Sequence, residues 1–169
     1  MHETAHDLER LQALLDASHA AAGSHMRSVF DEEHRVDASR LVEMLPGVQV
    51  LNLATVTSHG EPRVAPVDGL FYRGRWHFGS SPDSVRFRHI RTNPAVSGSH
   101  VRGEEFAVVV HGRAVEIDPS APDHAGFKAY LLETYGDDWY QWAAVAPYAV
   151  IEAHRMYTRW FPLSGEASV

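Results

Sequence analysis

The chain has 169 residues, 44% of them apolar and 22% charged, with a formal net charge of −7 and no cysteine. This length fits one domain with a sizeable core, and the acidic balance argues against a nucleic-acid binder held by overall charge. The lack of cysteine excludes disulfides and thiolate metal sites. No apolar run approaches the ~20 residues that a membrane helix needs, and no signal core is visible near the N-terminus. We therefore expect a cytoplasmic protein with neither a membrane nor a nucleic acid as partner.

Residues 1–46 predict a helical extension. Thr4 and Asp7 have the spacing of a capping box, and leucines follow at helical intervals. Gly23 is expected to end this helix as its C′ residue. The segment after Gly23 is expected to be irregular, and Asp37 is expected to cap a short second helix.

The next residues predict three strands joined by turns. Residues 48–57 carry apolar groups on both faces, which favours a central strand. Residues 62–72 form the return strand, and residues 75–79 form the third. Because Pro62 and Pro66 lack N–H donors, part of the second strand is expected to lie at an edge or a bulge.

A helix is predicted from Ser81 to about Arg91, with Ser81 as the N-cap and Pro82 at the first helical position. A long hairpin follows, with Gly112 expected at a bulge. Another helix is predicted over 122–135, and two short strands, 147–152 and 156–160, close the sheet. Six strands in hairpins predict a closed or nearly closed antiparallel barrel.

The start of the helix after the third strand can bind phosphate. Helix N-termini attract anions, and Ser84 with Arg86 would add a hydroxyl and a bidentate guanidinium. The alternative is that Ser84 only caps the helix and that the arginines form a solvated face. We favour phosphate binding for Arg86 and the solvated face for Arg88 and Arg91.

Several short motifs follow one another in a characteristic order along this region. They are Ala54-Thr55, Gly60-Glu61-Pro62, Arg63–Val67, Trp76–Ser80, Ser84-Val85-Arg86 and Asn93-Pro94. In this order and spacing, the sequence resembles the pyridoxamine 5′-phosphate oxidase-like family, the FMN- and deazaflavin-binding split barrels. The resemblance implies an α+β fold in which an antiparallel split β-barrel, residues 47–169, carries inserted helices and follows the helical extension of residues 1–46.

The resemblance also implies a homodimer with the cofactor in a cleft between protomers. The second strand would line the ring system, while the end of the third strand and the helix start would face the phosphate. The cofactor-binding residues implied in this way are Arg63, Val64, Ala65, Pro66, Val67, Gly79, Ser80, Ser84, Val85, Arg86 and Trp160.

This chain departs from the vitamin B6 oxidase itself at several positions. Asp68 stands where the oxidase has a lysine, and Ala107 falls where the oxidase has a glutamine. The C-terminal arginine motif of the oxidase is not visible in this chain. A carboxylate beside a phosphate would repel it, so vitamin B6 oxidation is not expected. The second strand reads more like the branch that uses the deazaflavin coenzyme F-420, and the preference for arginine over lysine fits the GC-rich hosts that make this coenzyme.

We therefore expect an oxidoreductase that passes a hydride between coenzyme F-420, or alternatively FMN, and a small conjugated substrate. One alternative is a flavin- or tetrapyrrole-binding protein without turnover. Another is a barrel that has lost its cofactor and whose residues 1–46 serve a partner. No catalytic acid or base is assigned, because the cofactor does the redox chemistry in such enzymes. No metal ligand is assigned either, because the histidines lack a ligand spacing and His77 and His111 are expected to be packed and hydrogen-bonded. The aromatic residues Trp139, Tyr140 and Trp142 are expected in the core or a dimer interface.

Overall fold

A computed structural model describes residues 2–136 and 146–161 of the chain. The helices are α1 (Ala5–Ala20), α2 (Ser24–Val29), α3 (Ala38–Met44), α4 (Val85–Thr92) and α5 (Ala125–Tyr135). The strands are β1 (Val48–Val56), β2 (Pro62–Tyr72), β3 (Arg75–Gly79), β4 (Ala95–Arg102), β5 (Phe106–Ile117) and β6 (Tyr148–Trp160).

These strands form a closed barrel in the order β1-β2-β3-β6-β5-β4, and neighbouring strands are antiparallel. The predicted α+β fold with an antiparallel barrel is confirmed. Inward and outward side chains alternate along β1, where Leu51 and Leu53 are buried while Val50 is exposed.

Although the barrel is closed, β2 extends beyond the part that pairs with β3. β2 pairs with β1 from Pro62 to Leu70, but it pairs with β3 only from Gly69 to Tyr72. The first part of β2, from Pro62 to Asp68, therefore has a free edge on the β3 side. The edge position predicted from Pro62 and Pro66 is confirmed, since their missing N–H donors fall where no second ladder forms.

The last strand differs from the prediction of two short strands. β6 runs unbroken from Tyr148 to Trp160 because a bulge absorbs one extra residue. Gly112 pairs with Ala153 and His111 pairs with Arg155, so His154 is left over between them. The bulge predicted at Gly112 is confirmed, and a Cβ on that glycine would lie within 2.4 Å of the Glu152 carbonyl oxygen.

The N-terminal segment also differs in part from the prediction. α1 ends at Ala20, and Gly23 has an extended backbone as the N-cap of α2 rather than the left-handed conformation of a C′ residue. The residues after Gly23 thus form a helical turn and a half where irregular chain was expected. The predicted capping box and the Asp37 cap of α3 are both present.

The helices α1, α3 and α4 share one apolar core with the barrel. Leu11 and Leu15 of α1 and Leu41 of α3 belong to the same buried cluster as Leu51 and Phe78 inside the barrel. A second cluster lies under α5 and consists of Leu70, Tyr72, Phe127, Tyr130, Leu131 and Tyr148. The boundary proposed at residue 46 stays a prediction.

Removing the capping hydroxyl of α1 is expected to destabilise the protein. The Thr4 hydroxyl accepts a hydrogen bond from the Asp7 backbone N–H, and the Asp7 carboxylate accepts one from the Thr4 backbone N–H. Thr4→Ala should lower the free energy of unfolding by about 1 kcal/mol, measured by urea denaturation. Thr4→Ser keeps the hydroxyl and is the control; equal losses in both variants would contradict the capping role.

Within the described ranges, no helix is both long and apolar enough to cross a membrane. The cluster of Trp139, Tyr140 and Trp142, predicted to lie in the core or an interface, falls outside the described residues.

Candidate functional site

A cavity of about 590 Å³ opens beside the free edge of β2, a volume within the range of small-molecule sites. Six parts of the chain meet there: β2, the end of β3, the segment leading into α4, the first turn of α4, the end of α5 and the start of β6. The lining residues are Pro66, Val67, Asp68, Gly79, Ser80, Ser81, Pro82, Arg86, Tyr135, Ala146 and Tyr148.

The start of α4 lies at one side of this cavity, three residues later than predicted. Ser84, not Ser81, is the N-cap, and its hydroxyl accepts a hydrogen bond from the Phe87 N–H at 3.4 Å. Ser81 begins a turn that is closed by a hydrogen bond from the Ser84 N–H to the Ser81 carbonyl oxygen. Proline is equally suited to a turn and to a first helical position, so the local sequence did not separate the two.

Among the described residues, Arg86 is the cationic side chain that lines the cavity. It lies in the first turn of α4, is half-buried, and donates a hydrogen bond to the Ser80 hydroxyl at 3.0 Å. Burial lowers the pKa of Arg86, but a guanidinium stays protonated in proteins. Within the described ranges it forms no ion pair. Its remaining N–H donors and the positive end of the helix are therefore available to an anion.

The other two arginines of α4 behave differently. Arg88 is exposed, and Arg91 is held on the surface by two hydrogen bonds, of 2.9 and 2.8 Å, to the Glu116 carboxylate. This is the solvated face expected for Arg88 and Arg91.

Asp68 and two tyrosines complete the polar lining. Burial, and next the charge of Asp68, raise the pKa of the Tyr135 phenol, so Tyr135 remains a hydrogen-bond donor. Tyr148 pairs with Gly79 across β3 and β6, and a Cβ on Gly79 would lie 2.9 Å from the Tyr148 ring. The absence of a side chain at Gly79 thus lets the aromatic ring lie against the backbone.

The structure brings five of the predicted cofactor residues into the cavity lining: Pro66, Val67, Gly79, Ser80 and Arg86. The other predicted β2 residues, Arg63, Val64 and Ala65, lie farther along the same free edge. Arg63 forms an exposed ion pair with Glu61.

The remaining three predicted residues lie outside this lining. The Ser84 hydroxyl caps α4, and Val85 is exposed beside it. Tyr148 begins β6, and Trp160 lies at the opposite end of the strand. The Arg40 guanidinium lies 5.0 Å from the centroid of the Trp160 ring. Contact between Trp160 and a cofactor stays a prediction.

Sequence reasoning missed Tyr135 and Tyr148 as lining residues. Tyr135 carried a weak signal, because it ends the apolar stripe of its helix. Tyr148 could have been sought as the aromatic partner of a strand glycine, a pairing that shields the glycine backbone. Finding it would have required knowing that β3 pairs with β6.

Comparisons with known proteins agree with this fold. A family model described as pyridoxamine 5′-phosphate oxidase matches residues 38–159. No curated protein matches the sequence.

Among solved structures, an FAD-binding protein from Mesorhizobium loti is similar, with 22% identity and a TM-score of 0.58 over 75% of this chain and 96% of its own. A haem storage protein from Vibrio cholerae has 18% identity and a TM-score of 0.60 over 74% of this chain and 96% of its own. An F-420 reductase has 21% identity and a TM-score of 0.51 over 68% of this chain and 93% of its own. At these identities, the likeness shows a common fold.

Proposed function

Because this chain belongs to the pyridoxamine 5′-phosphate oxidase family, we propose that it is an oxidoreductase with a flavin-type cofactor in the cavity beside Arg86. Coenzyme F-420 is the preferred cofactor and FMN is the alternative. The observation that carries the proposal is the half-buried Arg86 guanidinium, which lines a cavity of suitable volume and has no carboxylate partner among the described residues.

The residues present fit such a cofactor. Arg86 and Ser80 would hold its phosphate, because they offer a positive charge and a hydroxyl beside the positive end of α4. Pro66 and Val67 on β2 and the Tyr148 ring would line its apolar part. When bound, a deazaflavin supplies two-electron hydride transfer, whereas FMN can also react with oxygen.

The protein's own contribution would be position and shielding. The Tyr148 ring is buried against Gly79 and forms an aromatic wall on this side of the cavity. The Tyr135 phenol stays protonated, so it adds no negative charge to the cavity lining. No described side chain is assigned as catalytic acid or base, since hydride transfer to a conjugated substrate can proceed without an enzymatic proton donor at the reacting carbon.

The proposed assembly is a homodimer with the cofactor near the interface. Val50, Val64 and Val101, on β1, β2 and β4, are exposed by 60%, 71% and 54%, and β2 also has its free edge there. Exposed apolar side chains beside an unpaired edge favour association with a second copy.

Replacing Val64 with aspartate is therefore expected to shift the protein from dimer to monomer, because a carboxylate would be buried in the interface. Sedimentation equilibrium measures the change. Val115→Asp places the same charge at an exposed valine of β5 outside this set and is the control. A native protein that sediments as a monomer would contradict the proposal.

A second candidate is a binding protein without turnover, and the fold shared with a haem storage protein favours it. This candidate predicts tight binding of a flavin or of haem and no reduction of activated double bonds.

The deciding experiment is a titration of purified protein with coenzyme F-420, FMN and haem, followed by cofactor fluorescence or haem absorbance. Preferential F-420 binding, followed by turnover with an activated enone or quinone, would support the reductase. Preferential FMN binding would favour the flavin alternative, and haem binding alone would favour the carrier. If none of the three binds, the proposed function is wrong.

A further inference from the structure

Thr55, from the Ala54-Thr55 motif near the end of β1, is a polar residue in a row of apolar ones. It follows Leu51 and Leu53 at every second position, so the three side chains share one face of the strand. All three are buried, and Thr55 is only 3% exposed. Thr55 does not line the cavity beside Arg86. A hydroxyl at this position needs a hydrogen-bond partner, because burying an unpaired hydroxyl is unfavourable.

That partner is His89 of α4. The Thr55 hydroxyl oxygen lies 2.9 Å from the His89 Nδ1, which is within hydrogen-bond distance. A hydroxyl and an imidazole can form this hydrogen bond in either direction, depending on the tautomer of the ring. Because Thr55 belongs to a strand and His89 to a helix, the hydrogen bond ties one point of the barrel wall to one point of α4.

Apolar packing also holds this helix on the barrel. Phe87 and Ile90 of α4 are buried in the same cluster as Leu53. Apolar burial is non-directional, so it restrains the rotation of a helix about its own axis only weakly. A hydrogen bond depends on both distance and angle. The bond between Thr55 and His89 therefore fixes the rotation of α4 more narrowly than burial alone.

Arg86 lies three residues before His89 on α4. Residues three apart on a helix are neighbours on its surface, with Cβ atoms about 5–6 Å apart. Arg86 donates a hydrogen bond to the Ser80 hydroxyl at 3.0 Å, and both residues line the cavity. Neighbouring positions of the helix are thus held by two side-chain hydrogen bonds, one to the barrel wall and one at the cavity.

We propose that Thr55, acting through His89, is a positioning residue for Arg86 and sets where the guanidinium meets the phosphate of a cofactor. The inference rests on the proposed function and deepens it, because it assigns the support of the phosphate site to a residue outside the cavity lining. It also gives a physical reason for the hydroxyl in the Ala54-Thr55 motif. Thr55 takes no part in the redox chemistry.

Thr55→Val tests the proposal, because it removes the hydroxyl and keeps the shape of the side chain, whereas Thr55→Ser keeps the hydroxyl. The matched control is Thr158→Val. Thr158 is also 3% exposed, and its hydroxyl accepts a hydrogen bond from the Val36 N–H and donates one to the Val36 carbonyl oxygen. These bonds join β6 to the N-terminal segment rather than to α4. Coenzyme F-420 and FMN are titrated into each variant, and urea denaturation measures its stability.

For the cofactor that the native protein binds, Thr55→Val should raise the dissociation constant about fivefold, within the range of coupling between contacting residues. Thr55→Ser and Thr158→Val should stay within about twofold of the native value. Both valine variants lose a buried hydrogen bond and should be less stable than the native protein. The affinity therefore separates a positioning role from a purely structural one.

Combining Thr55→Val with Arg86→Ala tests whether Thr55 acts through Arg86. The double variant should bind as weakly as Arg86→Ala alone, since no guanidinium is left to position. A further fivefold loss in the double variant would overturn the inference. Native affinity in folded Thr55→Val, or an equal loss of affinity in Thr158→Val, would also overturn it and leave the proposed function standing.

His89→Leu removes the other partner of the hydrogen bond and takes the place of Thr55→Val if that variant does not fold. The same loss of affinity is expected, and native affinity would overturn the inference. If Arg86→Ala binds the cofactor as tightly as the native protein, Arg86 does not hold the phosphate and the inference fails. If the native protein binds neither F-420 nor FMN, the proposed flavin site fails and the inference fails with it.

Discussion

Arg86→Ala is expected to weaken cofactor binding by roughly 1.5–3 kcal/mol, the range for hydrogen bonds to charged groups. This corresponds to a rise of about 10- to 150-fold in the dissociation constant. The reason is that Arg86 is the cation in the cavity lining and that only Ser80, among the described side chains, accepts a hydrogen bond from it. Fluorescence titration with F-420 and with FMN measures the change.

Arg88 provides a matched control two residues farther along α4. Arg88→Ala removes the same charge from the same helix, but the side chain is exposed and lies outside the cavity lining. The dissociation constant of Arg88→Ala for the cofactor should stay within about twofold of the native value, since exposed charges are screened by solvent. Equal effects of the two substitutions would mean that general electrostatic attraction, and not a phosphate site at Arg86, holds the cofactor.

The second large effect concerns the stability of the protein in acid. His77 on β3 is 3% exposed, its ring is stacked on Phe127 with centroids 4.4 Å apart, and its Nδ1 lies 3.1 Å from the Arg75 carbonyl oxygen. Burial, reinforced by the positive charges of Arg75 and His124, lowers the pKa of His77 to about 3. The folded protein therefore keeps this histidine neutral.

In the unfolded chain, the same imidazole takes up a proton near its ordinary pKa of 6.5. The stabilisation from neutral His77 is thus complete above pH 6.5 and is lost as the pH falls from 6.5 toward 3, because only the unfolded state gains the proton in that window. Between pH 6.5 and 4.5 the loss should reach about 2–3 kcal/mol, given 1.36 kcal/mol for each pH unit. Urea denaturation at several pH values measures it.

His77→Gln should be less stable than the native protein at neutral pH, since it loses the stacking on Phe127. Its free energy of unfolding should nevertheless fall less steeply with acid, because the titrating group is gone. His59→Gln, which replaces an exposed histidine in the turn between β1 and β2, controls for the loss of one histidine. If the free energy of unfolding of His77→Gln falls with pH as steeply as that of the native protein, then other groups cause the acid sensitivity. His100 and His111, whose pKa values are also lowered chiefly by burial, are then the next to test.

The elements predicted best are those with strong local signals. β2 and β3 have the predicted bounds, and the Thr4–Asp7 capping box and the Asp37 cap were read from residue types three positions apart. Such signals act through backbone dihedral angles and hydrogen bonds within a few residues, so they operate in the same way in any fold.

The predictions of local structure were wrong where the same residue types are compatible with two different backbone conformations. Ser81-Pro82 suits both a helix start and a turn, and in the structure it forms a turn closed by a hydrogen bond from the Ser84 N–H to the Ser81 carbonyl oxygen. Similarly, β6 looked like two strands, because the sequence does not show that a bulge opposite Gly112 lets one strand continue past His154.

From the sequence alone, the antiparallel barrel and the family were predicted correctly, and Arg86 was selected as the arginine of α4 most suited to an anion, which stays a prediction. Strand alternation and turn residues predicted the barrel, helix capping and charge pointed to Arg86, and the order and spacing of short motifs carried the resemblance to the family. Only the tertiary structure placed Asp68, Tyr135 and Tyr148 around Arg86 in one cavity. These residues come from three elements far apart along the chain, and their meeting depends on the pairing of β3 with β6 and on the packing of α5. Strand pairing and helix packing are set by the whole apolar core, and no local pattern records them.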